Sequence, residues 1–323
     1  MNQGALTLRV AVDWIELEIR LAERSNFWTV QEVLKVALQL KGNAMPFVEA
    51  LDQTSGRAAS IFRFRVQDPR QKRKLDEVLS ALRQRFDFGV VKVVAIEVAF
   101  DTYCKGAGVR QLAEIATDRY RFLTSAPGDD WYFYRNKGEG RRYLKTLNNR
   151  RDLIRCFEEQ WQLTDRNNKD ADIRYHAYVK TRDANTNLSQ QDYRARLEVT
   201  LRGVALPCST VDEFEQFNFS KLAKHFKFRR LADDLHPMAR HPLMTWSKEQ
   251  HGRTGKYRRP NRRQVGRYSG TSVFRCSTVA DDELNEVAYE CLRKLSRDWR
   301  SKRSGADFPE HSKAQVRIGT GNP

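Results

Sequence analysis

The five cysteines, Cys104, Cys156, Cys208, Cys276 and Cys291, are odd in number and far apart. Neither a disulfide framework nor a CxxC metal knuckle is indicated, and reduced, mostly structural thiols are expected. Long apolar runs are missing too. The most apolar segment, VVKVVAIEVAF, is broken by Lys92 and Glu97, well short of the roughly 18 uncharged residues a membrane span needs. The opening residues MNQGALTLRV lack the basic-then-apolar order of a secretory signal, so the expectation is a soluble, intracellular protein without membrane contact. No GxxxxGK[ST] phosphate loop occurs, which gives ATP-driven unwinding no support, and GxSxG and HExxH are also absent. The pair Gly106-x-Gly108 lacks the third glycine of a dinucleotide-binding turn.

Positive charge is what the chain has in excess. Its 323 residues carry 58 Lys+Arg against 41 Asp+Glu, a net charge of +17. With 40% hydrophobic residues, including 17 Phe, 11 Tyr and 6 Trp, there is apolar mass for one large or two moderate cores, which excludes global disorder. The basicity is regional: residues 221–280 hold 15 Lys+Arg and 3 Asp+Glu, or +12 of the +17. Interleaved with Phe226, Phe228, Tyr257 and Tyr268, that block suits a polyanion groove better than a solvated charge run.

The running order reads β-α-β-α-β-α. ALTLRVAVDWIELEIRL is a strand with Ile15, Leu17, Ile19 and Leu21 on one side and Trp14, Glu16, Glu18 and Arg20 on the other. A helix follows, opened by the capping box Thr29-x-x-Glu32 and ended near Gly42. Strand 59–66, a helix carrying Leu75, Val78, Leu79 and Leu82, strand 90–103 and a helix over about 109–123 come next. Further on, WYFYR is a short aromatic strand, 150–161 is helical, and 172–180 pairs antiparallel with 192–203. A short helix starts at Thr210-x-x-Glu213, and 281–299 forms a helix with Leu284, Val287, Ala288, Cys291, Leu292, Leu295 and Trp299 in one stripe. The fold class expected is α/β (α+β), an antiparallel or mixed sheet with helices packed on it. Residues 1–220 are expected to form the body, 221–300 a basic region closed by the last helix, and 301–323 a disordered tail.

Strand parity selects the candidate chemistry. In 90–103, Glu97 and Asp101 share a face, but four residues along a strand separates them by roughly 13 Å, too far for easy joint chelation. In 172–180, Tyr175 falls on the apolar face, whereas Tyr178 projects between His176 and Lys180 on the polar one. In 192–203, Arg194, Arg196, Glu198 and Arg202 face away from the apolar side. An ion-paired sheet face and a hydrogen-bonded surface tyrosine explain these patterns blandly. The sharper reading is a phosphate site in which Arg194 and Arg196 clamp the anion and Glu198 holds a divalent cation. His176, Glu97 or Asp101, and Glu198 make a mixed nitrogen and oxygen set suited to Mg²⁺ or Mn²⁺.

These strands resemble the replication-initiation factors of rolling-circle plasmids and filamentous phages. The resemblance lies in Val12-Asp13-Trp14-Ile15, Ile96-Glu97-Val98-Ala99-Phe100-Asp101, Trp131-Tyr132-Phe133, Tyr178-Val179-Lys180 and Arg196-Leu197-Glu198, in that order over about residues 10–203. It implies a Rep-nuclease-like fold and a site-specific single-strand endonuclease and strand transferase in a bacterial host's cytoplasm. Its tyrosine attacks origin DNA, leaving a 5′-phosphotyrosine and a 3′-OH that primes the host polymerase, beside a recruited host helicase. Carried onto this chain, the nucleophile is Tyr178, Lys180 contacts the phosphate, and Glu198 with Asp101 or Glu97 forms the metal side. The chain departs from related nickases in having no His-x-His pair, and Ala95-Ile96 stand where the family has an arginine before the first acid. His176 as a ligand comes from strand parity instead. Arg258, Arg259, Arg262, Arg263 and Arg267, in HGRTGKYRRPNRRQVGRYSG, are the candidate DNA arm. A non-catalytic phage or plasmid DNA-binding regulator is the alternative, and an RNA-binding sheet a third. Whether one tyrosine acts twice, or a homodimer partner supplies the second, is left open.

Overall fold

A computed structural model of the chain describes residues 6–54, 56–69, 72–124, 131–137, 140–144, 150–165, 171–183, 186–232, 278–300 and 314–315. The first part runs β1 (Leu6–Asn26), α1 (Phe27–Ala37), β2 (Val48–Ala50), β3 (Ala58–Gln67), α2 (Lys72–Arg83), β4 (Lys92–Cys104) and α3 (Val109–Phe122). Then come β5 (Trp131–Lys137), β6 (Gly140–Leu144), α4 (Arg150–Glu158), β7 (Gln162–Asp165), β8 (Ile173–Lys180), β9 (Arg182–Asp183), β10 (Thr186–Asn187) and β11 (Arg194–Arg202). The chain continues through α5 (Val211–Glu215), β12 (Arg229–Leu231), β13 (Thr278–Ala280), α6 (Asp282–Arg300) and β14 (Ala314–Gln315).

One sheet organises most of these strands, in the order β2-β3-β1-β4-β11-β8-β7-β5-β6, with β14 also pairing β1, while β9 with β10 and β12 with β13 form two separate pairs. Its described pairings are antiparallel, so the fold is α+β. The apolar faces of β1, β4, β8 and β11 and the apolar stripes of α1 to α6 join one hydrophobic core. Packing the helices on that face leaves the opposite face of the central strands for polar side chains.

The parity of β1 changes midway. Leu8, Val10 and Val12 are buried before residue 13, and Ile15, Leu17, Ile19 and Leu21 after it. A regular strand cannot put both sets on one face. The ladder shows why: Val12 pairs with Val98 and Trp14 with the adjacent Glu97, so Asp13 is the extra residue of a β-bulge. The bulge keeps both apolar sets in the core and turns Asp13 and Trp14 together onto the polar face.

The start of α1 and two aromatics differ from expectation. Helix α1 begins at Phe27, two residues before Thr29, because β1 runs straight into it and Asn26 caps it, its Oδ1 accepting from Trp28 N at 2.9 Å. It ends at Ala37, with Gln39 left-handed at φ 56°, and Gly42 (φ 59°) lies in the turn beyond. Thr210 does cap α5, accepting from Glu213 N at 3.3 Å. Phe226 and Phe228 are core residues rather than groove aromatics: both are 1% exposed and lie against Phe100 of β4 at ring separations of 5.7 and 5.4 Å. The 3₁₀ turn Phe219–His225 packs against α6, which in turn packs on β1. The boundary expected at residue 220 therefore falls inside the core, not between two cores. No helix among the described residues is long and apolar enough to cross a membrane.

Candidate active site

The polar face of the sheet is built in rows, because antiparallel partners point the same way. Arg196 of β11 stands level with Tyr178 of β8 and Asp101 of β4. One row along, Glu198 is level with His176, and the next sets Thr200 level with Glu97 and Glu97 with Trp14 of β1. Residues distant in sequence thus meet on adjacent strands within reach of one another.

Arg196 ties the first row together. It is 5% exposed, and its guanidinium takes Asp101 in a fork, Nε to Oδ1 at 2.6 Å and NH2 to Oδ2 at 2.8 Å. Its NH1 bonds Asp13 Oδ1 at 2.7 Å and Glu198 Oε1 at 3.3 Å. Arg194 adds a second cation to Asp101, Nε to Oδ2 at 3.2 Å, and donates from NH1 to Asp192 O at 2.8 Å. Both arginines, expected to clamp a nucleic-acid phosphate, are instead buried partners of carboxylates. Asp101, expected near a metal, is a partner of those arginines and is not a member of the Glu97, His176 and Glu198 cluster.

Glu97, His176 and Glu198 do come together. Each offers a ligand atom, and those atoms lie within 4.8 Å of one another. Glu198 Oε1 accepts from Tyr178 Oη at 2.7 Å, and Oε2 is 3.7 Å from His176 Nδ1. Glu97 accepts from Thr200 Oγ1 at 2.6 Å. The fit to a cation rests on His176: its Nε2 is buried without a hydrogen-bond partner among the described residues. Such an atom is costly unless something electropositive completes it. Two buried carboxylates and a partly buried imidazole suit a divalent ion with mixed nitrogen and oxygen ligands.

The electrostatics agree with a pocket short of positive charge. Burial, reinforced by the Glu198 charge, pushes the Glu97 carboxyl up to about 8 despite its hydrogen bond from Thr200. Burial also acts to raise Glu198, but His176 and Arg196 outweigh it and hold that carboxyl low. Asp13 is raised, first by burial and then by Glu198. The Tyr178 phenol is pushed well above its usual value by burial and by the Glu198 charge, against the pull of Arg196. Tyr178 is half-buried, and Lys180, two residues on, is held by Asp183 at 2.9 Å.

Asp13 is the site residue that parity reading of the sequence misses. Its signal was present in the apolar pattern, which switches from even to odd positions across residues 12–15. Tyr175 is fully buried, with its hydroxyl on His225 O at 3.3 Å, as its apolar-face position implied. Arg258, Arg259, Arg262, Arg263 and Arg267 lie outside the described residues.

No protein-family model matches the chain, and no curated protein does. Among solved structures, a rolling circle replication initiator protein from Geobacillus stearothermophilus aligns over 70% of this chain and 89% of its own, at 14% identity and a TM-score of 0.31.

The raised Glu97 carboxyl makes a signed prediction. A carboxyl titrating near 8 folded and near 4.5 unfolded binds more protons in the folded state between those values. Its contribution to metal-free stability is therefore complete below about pH 4.5 and lost as pH rises through about 8. Thermal melts of the metal-free protein should show Tm falling over that range, and Glu97→Gln should remove part of the fall. Titrating Mn²⁺ at pH 7 in buffers of different ionisation enthalpy should show proton release, reduced in Glu97→Gln.

Proposed function

We propose that the chain is a metal-dependent, site-specific DNA endonuclease and strand transferase that initiates rolling-circle replication. The observation that carries this reading is the 2.7 Å bond from the Tyr178 phenol to Glu198, a carboxylate shared with the Glu97 and His176 cluster. It sets a nucleophile at the edge of a cation pocket, the arrangement phosphodiester transesterification needs.

In this account Glu198 aims the phenol and Arg196 aims Glu198. Tyr178 Oη attacks the scissile phosphorus and gives up its proton along the bond to Glu198. The P–O3′ bond breaks and the proton passes from Glu198 to the departing O3′, leaving a 5′-phosphotyrosine and a 3′-OH for a host polymerase. A Mg²⁺ or Mn²⁺ held by Glu97, His176 and Glu198 would supply the positive charge that polarises the phosphate and favours the phenolate. The raised pKa of Tyr178 keeps the phenol protonated at neutral pH, so a nearby positive charge is what the reaction needs. Lys180 lies on the same face and is proposed to contact the phosphate. Arg194 and Arg196 are assigned to positioning, and origin binding to the block containing Arg258, Arg259, Arg262, Arg263 and Arg267. A host helicase completes the proposed partners.

Two experiments test the assignment. Incubation with randomised single-stranded DNA and Mn²⁺ should give an SDS-resistant adduct, lost in Tyr178→Phe; an undiminished adduct in that variant would sink the role given to Tyr178. If no adduct forms although DNA is bound, the regulator reading takes over. Neutralising Arg258, Arg259, Arg262 and Arg263 should weaken DNA binding and flatten its dependence on salt by up to about four counterions, while sparing cleavage at saturating DNA. Cleavage abolished at saturation would instead place that block in the active site.

A further inference from the structure

Glu97 sits between two donors in its own row. Its ladder partner on β1 is Trp14 and its partner on β11 is Thr200, and antiparallel partners share a face. The Thr200 hydroxyl donates to Glu97 Oε2 at 2.6 Å, and the Trp14 indole N–H donates to the same carboxylate. Trp14 reaches this position through the bulge at Asp13. Core-facing residues of β1 are even-numbered before the bulge and odd-numbered after it, so on a regular strand residue 14 would point into the core. The indole is fixed where it lies. The Arg65 guanidinium of β3 stands 4.2 Å over the Trp14 ring and 4.4 Å over the Phe47 ring, and that of Arg202 on β11 stands 6.0 Å over Trp14. Arg65 is itself held by the buried Glu16, Nε to Oε2 at 2.6 Å. Trp14 is 7% exposed, so its ring is packed as well as stacked.

We propose that Trp14 is a positioning residue of the cation pocket, its indole N–H holding the Glu97 carboxylate turned toward His176 and Glu198. The proposal rests on the cation reading of that pocket and deepens it. Chemistry separates Trp14 from Thr200. A hydroxyl rotates and either donates or accepts, so Thr200 fits Glu97 in more than one orientation, whereas an indole only donates, and from one atom of a rigid ring. The direction of the Glu97 carboxylate is therefore set from the β1 side. With donors on two flanks, the lone pairs left over are those that face the pocket. A ligand already held in place loses little freedom when it binds, and partners behind a ligand commonly change metal affinity by about ten- to a hundredfold. The contacts running from Glu16 through Arg65 and Trp14 to Glu97 also tie the pocket to β3, a strand that contributes no member of the Glu97, His176 and Glu198 cluster.

The test uses the full chain and Mn²⁺ without DNA, the free ion being counted by electron paramagnetic resonance. Trp14→Phe keeps a ring under Arg65 and removes the N–H. It should raise the Mn²⁺ dissociation constant about tenfold or more. In a Glu97→Ala background the same substitution should change affinity by less than about twofold, because the group it acts through is gone. An unchanged dissociation constant in Trp14→Phe would overturn the proposal. So would an equal loss in both backgrounds, which would make Trp14 a packing residue with no particular hold on Glu97. Should Trp14→Phe not fold, wild type isotope-labelled at its six indole nitrogens answers alone: one indole N–H signal should shift in step with Mg²⁺ occupancy, and six unmoved signals at saturation would overturn the proposal. No Mn²⁺ bound by wild type at millimolar concentration would overturn the cation reading itself, an outcome separate from the others.

Discussion

The Arg196 guanidinium is the contact on which the polar face depends. It lies on β11 yet binds carboxylates from β4 and β1 as well as from its own strand. Burying ionised groups is expensive, and the expense is met only where every partner is present with good geometry. Asp13, Glu97, Asp101 and Glu198 carry four negative charges when ionised, whereas Arg194, Arg196 and, acting on Asp13, Lys180 supply three positive ones. In the metal-free protein the deficit is relieved by pushing Glu97 toward its neutral form. A divalent cation would close it without protonating anything. The pocket at Glu97, His176 and Glu198 is where the face is short of charge, and it is also where Tyr178 points.

The bulge at Asp13 connects this chemistry to the fold. Without an extra residue in β1, either Leu8, Val10 and Val12 or Ile15, Leu17 and Ile19 would leave the core, at a cost of a few kcal/mol per side chain. With it, both sets stay buried and the strand gains an acid at the position facing Arg196. The requirement to bury apolar surface and the requirement to neutralise Arg196 are met by the same backbone irregularity, as bulges beside functional sites commonly allow.

Much of this was legible in the sequence and some was not, for identifiable reasons. Period-two alternation placed Glu97, His176, Tyr178 and Glu198 on polar faces and Tyr175 in the core, because a half-buried sheet forces that pattern. The stripe from Leu284 to Trp299 read equally well, since a helix on a core must be apolar on one side. Partners across strands did not read. Nothing local to Arg194 or Arg196 says that Asp101 and Asp13 will occupy them, so they looked like phosphate clamps. Phe226 and Phe228 looked like part of a basic groove because they lie within the basic block in sequence, whereas their rings pack against Phe100. The switch of apolar parity around Asp13 was visible, but its meaning needs the neighbouring strand.

The central claim is that the polar face carries a divalent cation between Glu97, His176 and Glu198. Anomalous diffraction from crystals of the full chain grown with Mn²⁺ tests it most directly. The account predicts one strong peak within coordination distance of a Glu97 oxygen, a Glu198 oxygen and a His176 nitrogen, with Arg196 still on Asp101. A peak elsewhere on the chain, or none here with the metal in excess, would contradict it.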